Sequence, residues 1–214
     1  MVLALIAMAG GAVLGVFAAV WTGLGTSAAT AFALCLSTPL FLLVLWFGLG
    51  VRGGWTIRDL GFRRPRHSLW HLLWWIPASI VLSGIGAMVL GSALGLSPSD
   101  GTSSTRDALS LHWSIAPLAA LATAVVIPLA EEIVFRRVLL DWLMTKMPTA
   151  LAVIITIVVF ALVHVSPTAM AYLIFLSTSL VLARLWFRSL WAPFLIHAAN
   201  NGLITVAALA ALIG

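Results

Sequence analysis

The stretch WSIAPLAALATAVVIPLAEEIVFRRVLLDWLM, residues 113–144, decides the fold class of this chain. Its first part, residues 113–130, carries no charged side chain, and a membrane-spanning helix needs about 20 apolar residues. Barrel strands require apolar residues that alternate with polar ones, whereas the apolar residues here run continuously. We therefore expect one long helix inside a lipid bilayer, beginning near Trp113 and ending near Met144.

The composition of the whole chain points to the same solvent. Of its 214 residues, 63% are hydrophobic and 8% are charged, and the mean hydropathy is +1.17. A soluble domain carries roughly 25% charged residues, so there are too few charges here to cover a water-facing surface. Backbone groups in lipid must satisfy one another, in helices or in a closed barrel. The long, non-alternating runs predict an all-α, polytopic transmembrane helical bundle.

The apolar runs predict about seven spans in a single transmembrane domain, residues 1–214. No internal repeat, linker or low-complexity segment divides the chain. The predicted spans are residues 2–24, 28–49, 69–96, 113–144, 149–165, 168–186 and 189–213.

The positive charge of the chain predicts its orientation. The net charge is +5, but the basic residues lie in short segments between apolar runs, which is typical of membrane topology and argues against a nucleic-acid partner. The richest segment carries Arg52, Arg58, Arg63, Arg64 and Arg66. We place this segment in the cytoplasm, with its side chains near the lipid headgroups and the N-terminus on the same side.

Two adjacent carboxylates inside the span 113–144 are the strongest functional signal. Charged residues deep in a membrane helix are costly and by default suggest function. Glu132 and Arg136 are four residues apart with the Glu first, so an α-helix pairs them. Glu131 is rotated by about 100° from Glu132, and this leaves its carboxylate free for chemistry. A buried ion pair that serves helix packing alone is the alternative interpretation of Glu132 and Arg136.

Three further polar residues lie in the later spans. His164 is near the end of the fifth span, and His197 and Asn201 are one helical turn apart in the seventh. Each has a structural interpretation, as a hydrogen-bonded core histidine or as a His/Asn pair that bridges helices. Together with Glu131 and Glu132 they form a set on three helices with few other polar residues, which predicts an active site.

Three motifs in this set resemble those of a known family. EEIVFR (131–136), FALVH (160–164) and HAANN (197–201) resemble the EExxxR, FxxxH and HxxxN motifs of the CPBP family. That family contains the type II CAAX prenyl endopeptidases and bacteriocin-processing or self-immunity proteins. DLGFRRP (59–65) resembles a segment between its early helices. The resemblance makes residues 117–202 the catalytic helices of a CPBP-like core.

The resemblance implies an intramembrane endopeptidase that cuts a peptide or a membrane-protein substrate. Glu131 would activate water, Glu132 and Arg136 would support the site, and His164, His197 and Asn201 would bind a metal or stabilise the oxyanion. The chain departs from the family at Arg137, where glycine is frequent, and a charged side chain there would change the substrate entrance.

The cofactor and the activity each keep an alternative. We expect Zn²⁺ held by Glu131, His164, His197 and Asn201, because the family is usually described as metalloproteases. A metal-free, glutamate-activated water is the second possibility, since HExxH is absent and Asn is an unusual zinc ligand. The alternative functions are a non-catalytic bacteriocin-immunity or membrane scaffold protein and an ion-coupled transporter, which the missing repeat disfavours. The expected location is a bacterial plasma membrane.

Overall fold

A computed structural model of the chain describes residues 40, 42–96, 109, 116–164 and 166–213. These residues form helices joined by turns and contain no strand, which confirms the all-α class. The predicted span 2–24, most of the span 28–49 and most of the polar segment 97–112 lie outside them. The helices are α1 (Leu42–Val51), α2 (Leu69–Ala93), α3 (Ala116–Met144), α4 (Thr149–Leu162), α5 (Pro167–Phe187) and α6 (Trp191–Ile213).

Four of these helices are long and apolar enough to cross a membrane: α2, α3, α5 and α6. The helix α4 has 14 residues, which is shorter than the about 20 residues of a full span. It was predicted to extend to residue 165, but the structure ends it at Leu162. The membrane-spanning character of the fold is thus supported by four helices, and the count of about seven spans stays a prediction.

Local sequence explains where two of the helices begin or end. Gly95 follows α2 with a positive φ of 67°, and the N–H of Leu96 donates to the carbonyl of Gly91, as in a Schellman cap. The hydroxyl of Ser166 accepts from the N–H of Ala169 before α5, and Pro167 occupies its first turn. Both choices supply partners or backbone angles that the helix itself lacks at its ends.

The helix α3 departs from regular α geometry in two segments. The N–H of Ile127 donates to the carbonyl of Ala122 and that of Leu140 to the carbonyl of Phe135, five residues back. These bonds define π-helical turns over Ala122–Val126 and Glu132–Leu139. The first π segment precedes Pro128, whose ring would clash with the carbonyl four residues back in a regular helix. The spacing of the residues does not predict these wider turns, which are frequent at functional sites.

The contacts divide the chain into two compact units. The first unit is residues 1–56, 103–130 and 198–214, and the second unit is residues 57–102 and 131–197. The prediction of one transmembrane domain stays a prediction.

In the second unit, α2 packs closely against α5. A side chain on Gly86 would lie 2.5 Å from the Phe175 ring, so glycine is what allows this approach. Close backbone packing through small residues is the usual source of stability between helices in lipid, where the hydrophobic effect is weak. The core around this contact consists of Leu72, Leu176, Leu180, Ala183, Phe187, Ala192 and Ile196.

In the first unit, the described parts of α3 and α6 meet through small and polar side chains. Ala119 and Leu109 are buried against Ala208 and Leu209. The hydroxyls of Thr123 and Thr205 lie 3.3 Å apart, and this contact extends the packing by a polar pair.

Candidate active site

The carboxylate of Glu132 is the centre of a buried group of polar side chains in the second unit. Its Oε1 atom lies 3.1 Å from Nη1 of Arg136 and 2.8 Å from Nδ1 of His197. Glu132 and Arg136 are 0% exposed and His197 is 2% exposed. The predicted pairing of Glu132 with Arg136 therefore occurs, even though this part of α3 is π-helical.

Two further residues hold the Arg136 guanidinium. Its Nη2 donates to the hydroxyl of Ser177 on α5 at 3.0 Å, and its central carbon lies 4.2 Å from the centre of the Phe160 ring. A guanidinium over an aromatic face gains a cation–π attraction. Ser177 is not among the residues predicted from the sequence. Ser177 stands beside Thr178 and Ser179, and no local pattern tells which of these hydroxyls meets Arg136, so the contact became visible in the folded structure.

Glu131 faces two histidines. Its Oε1 atom lies 3.8 Å from Nε2 of His164, and its Oε2 atom lies 3.6 Å from Nε2 of His197. These distances exceed those of direct hydrogen bonds and are in the range that a small bridging group such as water spans. The side chains of Glu131 and His164 are 12% and 29% exposed, so the group is open on the side of His164.

The partners of the two Nδ1 atoms define the protonation pattern of the imidazoles. Nδ1 of His164 lies 2.8 Å from the carbonyl oxygen of Phe160, and Nδ1 of His197 contacts the Glu132 carboxylate. A carbonyl oxygen and an ionised carboxylate are both acceptors only. Both Nδ1 atoms therefore donate a hydrogen bond. In a neutral imidazole the other nitrogen, Nε2, then carries an acceptor lone pair. Two lone pairs and the Glu131 carboxylate thus face one another, and a water molecule, a proton or a cation between them would bond the group.

The zinc prediction can be compared with this donor set. One carboxylate and two imidazole nitrogens are the donor types of a hydrolytic zinc site, in which two ligands on a tetrahedral ion lie about 3.3 Å apart. The separations of 3.6 and 3.8 Å are somewhat wider. Among the described residues, no group of three or more His, Cys, Asp or Glu side chains is placed to hold a metal ion. The chemistry of the donors fits zinc, and the zinc prediction stays a prediction.

Asn201 is described in the first unit, where it has a structural partner. It lies one turn after His197 on α6, and its Nδ2 donates to the carbonyl of Thr123 at 3.1 Å. That carbonyl has lost its helical donors, because the N–H of Ile127 serves Ala122 and Pro128 has none. The Asn201 amide therefore satisfies a backbone group that the π segment and the proline leave open. Its predicted catalytic and metal-binding roles stay predictions.

Arg137, the departure from the family pattern, has partners in the second unit that were not predicted from the sequence. Its Nη1 donates to Oδ2 of Asp141 at 2.8 Å, and its Nε donates to the carbonyl of Asp59. Asp141 also accepts from Nη2 of Arg184 at 2.9 and 3.2 Å. The spacing of four residues between Arg137 and Asp141 was a visible signal for this pair. Arg137 is thus held at the segment 57–68.

The comparisons with known proteins agree with the motifs. A family described as type II CAAX prenyl endopeptidase Rce1-like matches residues 112–203. Residues 112–203 are thus similar to this family, and the match supports the resemblance that the three motifs carry. The Rce1-like family is a protease family, and with the four long apolar helices it supports a membrane-embedded protease. All six predicted site residues lie within the matched segment. Comparisons with curated proteins and with solved structures return no match.

Proposed function

We propose that the protein is an intramembrane endopeptidase in which Glu131 is the general base. The observation that carries the proposal is that two adjacent carboxylates have different surroundings. Glu132 is fully buried and bonded to Arg136 and His197, whereas Glu131 faces two imidazole Nε2 atoms and is partly accessible. One carboxylate therefore orients a histidine, and the other is available for a water molecule.

Amide hydrolysis follows from this arrangement in two steps. Glu131 takes a proton from water as the water oxygen attacks the carbonyl carbon of the scissile bond. A protonated imidazole of His164 or His197 donates from Nε2 to the tetrahedral oxyanion. The intermediate collapses as Glu131 passes its proton to the leaving amine. Glu132 keeps His197 in the orientation that this requires, as an acidic partner does in other hydrolytic sites.

A zinc ion would be held by Glu131, His164 and His197, with Asn201 as the fourth ligand expected from the family resemblance. When bound, it would lower the pKa of a water molecule and polarise the scissile carbonyl. The roles of Glu132, Arg136 and Ser177 are the same with or without it, because these residues orient His197 and contact no reacting atom.

We propose a peptide or a segment of a membrane protein as the substrate, with CAAX-type prenylated peptides and bacteriocin or leader peptides as the classes to test first. The family description supports the first class, and the location of Glu131 in an apolar helix favours a substrate that partitions into lipid. We place the protein in a bacterial plasma membrane with the segment 52–66 on the cytoplasmic side, as its arginines predict.

The experiment compares new peptide N-termini in membranes that contain the wild type, Glu131→Gln or Asp141→Asn at equal folded amounts. Asp141→Asn is the matched control, because it makes the same change of carboxylate to amide on the same helix. Fragments that appear with the wild type and the control, but not with Glu131→Gln, would support the proposal and name the substrates. A farnesylated and an unmodified peptide of the same sequence would then test the prenyl preference.

Identical N-termini in all three membranes, with a known protease as a coverage control, would overturn the endopeptidase assignment. The non-catalytic bacteriocin-immunity or scaffold function would then take its place.

The metal is tested separately. We expect about one zinc ion per chain in the purified wild type and less zinc in His164→Ala. A chelator should abolish the peptidase activity, and added zinc should restore it. Full activity in metal-free protein would favour the metal-free mechanism, with the imidazoles as oxyanion donors.

A further inference from the structure

A cavity of about 950 Å³ opens on the second unit, and none of the proposed catalytic residues lines it. It lies where the segment 57–68 meets the start of α2, and Leu195 of α6 closes one side. Its wall includes two arginines and a histidine of that segment: Arg64, Arg66 and His67. The cavity therefore combines part of the arginine cluster with the beginning of an apolar helix.

The positive charge in this cavity is not neutralised within the described part of the chain. The side chains of Arg64 and Arg66 are exposed and have no hydrogen bond or ion pair with any described residue. No acidic residue lines the cavity. By contrast, Nε of the neighbouring Arg63 donates to the carbonyl of Arg188 at 3.0 Å. Two guanidinium groups are thus available to an anion.

The backbone and the walls of the cavity are held in place. The N–H of Arg66 donates to the carbonyl of Phe187 at 2.8 Å, and the His67 ring stacks on Trp186 with centres 4.4 Å apart. Ligand binding therefore costs less conformational entropy here than it would in a flexible loop.

The other side of the cavity is apolar and open. Trp70 is 78% exposed and Leu73 is 71% exposed, and both belong to α2, a helix that is long enough to span a membrane. Tryptophan near the end of a span is typical of the lipid headgroup region. A free inorganic anion has no apolar part that could contact such a surface, whereas a phospholipid has both a phosphate and acyl chains.

We propose that this cavity is a specific binding site for an anionic phospholipid. Arg64 and Arg66 bind the phosphate, since planar guanidinium groups match phosphate oxygens in pairs, and Trp70 and Leu73 contact the upper acyl chain. In this proposal Arg64 and Arg66 bind one lipid molecule. This binding differs from the general attraction of the whole basic segment to an anionic leaflet. It is independent of the peptidase proposal.

The test measures phospholipid binding to the purified full chain by native mass spectrometry, as phosphatidylglycerol or phosphatidylcholine is titrated. Arg64→Gln/Arg66→Gln is compared with Arg52→Gln/Arg58→Gln, which removes the same two charges from exposed arginines of the same segment outside the cavity. We expect the first pair to weaken phosphatidylglycerol binding about tenfold and the second pair to change it less than about twofold. Trp70→Ala should weaken phosphatidylglycerol binding as well, and phosphatidylcholine binding should not depend on the arginines.

Equal losses in the two double variants, or no loss in either, would overturn the proposal, because the attraction would then be general. Inorganic phosphate at matched ionic strength is the last arm. If it displaces phosphatidylglycerol completely and Trp70→Ala has no effect, the site serves a soluble phosphate and the phospholipid assignment is wrong.

Discussion

Two charged clusters that share the helix α3 differ in their ratio of carboxylates to guanidinium groups. The Glu cluster consists of Glu131, Glu132, Arg136, His164 and His197, with two carboxylates for one guanidinium. The Asp141 cluster consists of Asp141, Arg137 and Arg184, with one carboxylate for two guanidinium groups. The first is largely buried, and the second is partly accessible.

The difference shows where chemistry can occur. In the Asp141 cluster the carboxylate is saturated by two cations, and Arg137 also holds the backbone of Asp59. The Asp141 carboxylate therefore needs no further cation, and Arg137 braces the segment that carries Asp59. In the Glu cluster the second carboxylate faces two imidazole lone pairs, so the group has room and acceptors for a water molecule, a proton or a cation. A site that exchanges a proton with water must have this kind of incompleteness.

The comparison is tested most strongly by changing one carboxylate in each cluster to its amide. We expect Glu131→Gln to lower kcat about 10²–10⁴-fold, the range for removal of a general base. Asp141→Asn should leave kcat within about threefold and lower the free energy of unfolding by about 1 kcal/mol, because its ion pairs are partly solvated. Peptide cleavage kinetics and unfolding in mixed detergent measure the two effects. Similar losses of kcat in both variants would remove the distinction between the clusters.

The next test breaks the buried pair from one side and then from both. Arg136→Met leaves the Glu132 carboxylate buried without its cation, and we expect a loss of about 3–5 kcal/mol in unfolding free energy. Glu132→Gln/Arg136→Met should recover most of that stability, because no charge is left uncompensated. Its activity should stay about 10–100-fold low, since His197 has lost its acidic partner. A stable Arg136→Met variant would show that the pair is not the source of the stability.

Ser177 sharpens the same cluster with a smaller effect. Removing its hydroxyl in Ser177→Ala takes one hydrogen bond from a buried guanidinium, which is worth about 1.5–3 kcal/mol. Thr178→Val is the control, because the Thr178 hydroxyl bonds its own helix at the Ile174 carbonyl. We expect kcat to fall with KM unchanged in Ser177→Ala and both to be unchanged in Thr178→Val. An effect of equal size in the two variants would make Ser177 an ordinary packing residue.

The smallest expected effect concerns Asn201 and Pro128 in the first unit. Asn201→Ala leaves the Thr123 carbonyl without a donor, and we expect a loss of about 1 kcal/mol in stability. The loss should shrink when Pro128→Ala supplies a backbone N–H, as a double-mutant cycle of unfolding measures. An identical loss in the two backgrounds would contradict this account of Asn201.

Parts of the site could be predicted because they depend on local geometry. The Glu132–Arg136 pair was expected from a spacing of four residues, and it forms in the structure. The Arg137–Asp141 pair has the same spacing and could have been found in the same way. The π-helical turns could not, since a wider turn in α3 depends on the balance of helix hydrogen bonds and packing around Pro128, which spacing does not report.

The sequence alone determined the membrane as solvent, the helical class and the set of polar residues that lipid would not tolerate without a reason. The physical cause is that backbone and charge must be satisfied within the chain wherever water is absent. The tertiary structure decided the partners: Nδ1 of His197 on Glu132, both Nε2 atoms towards Glu131, Ser177 on Arg136 and Asn201 on Thr123. These contacts join residues far apart in the chain, and their geometry is set by helix packing rather than by any local pattern.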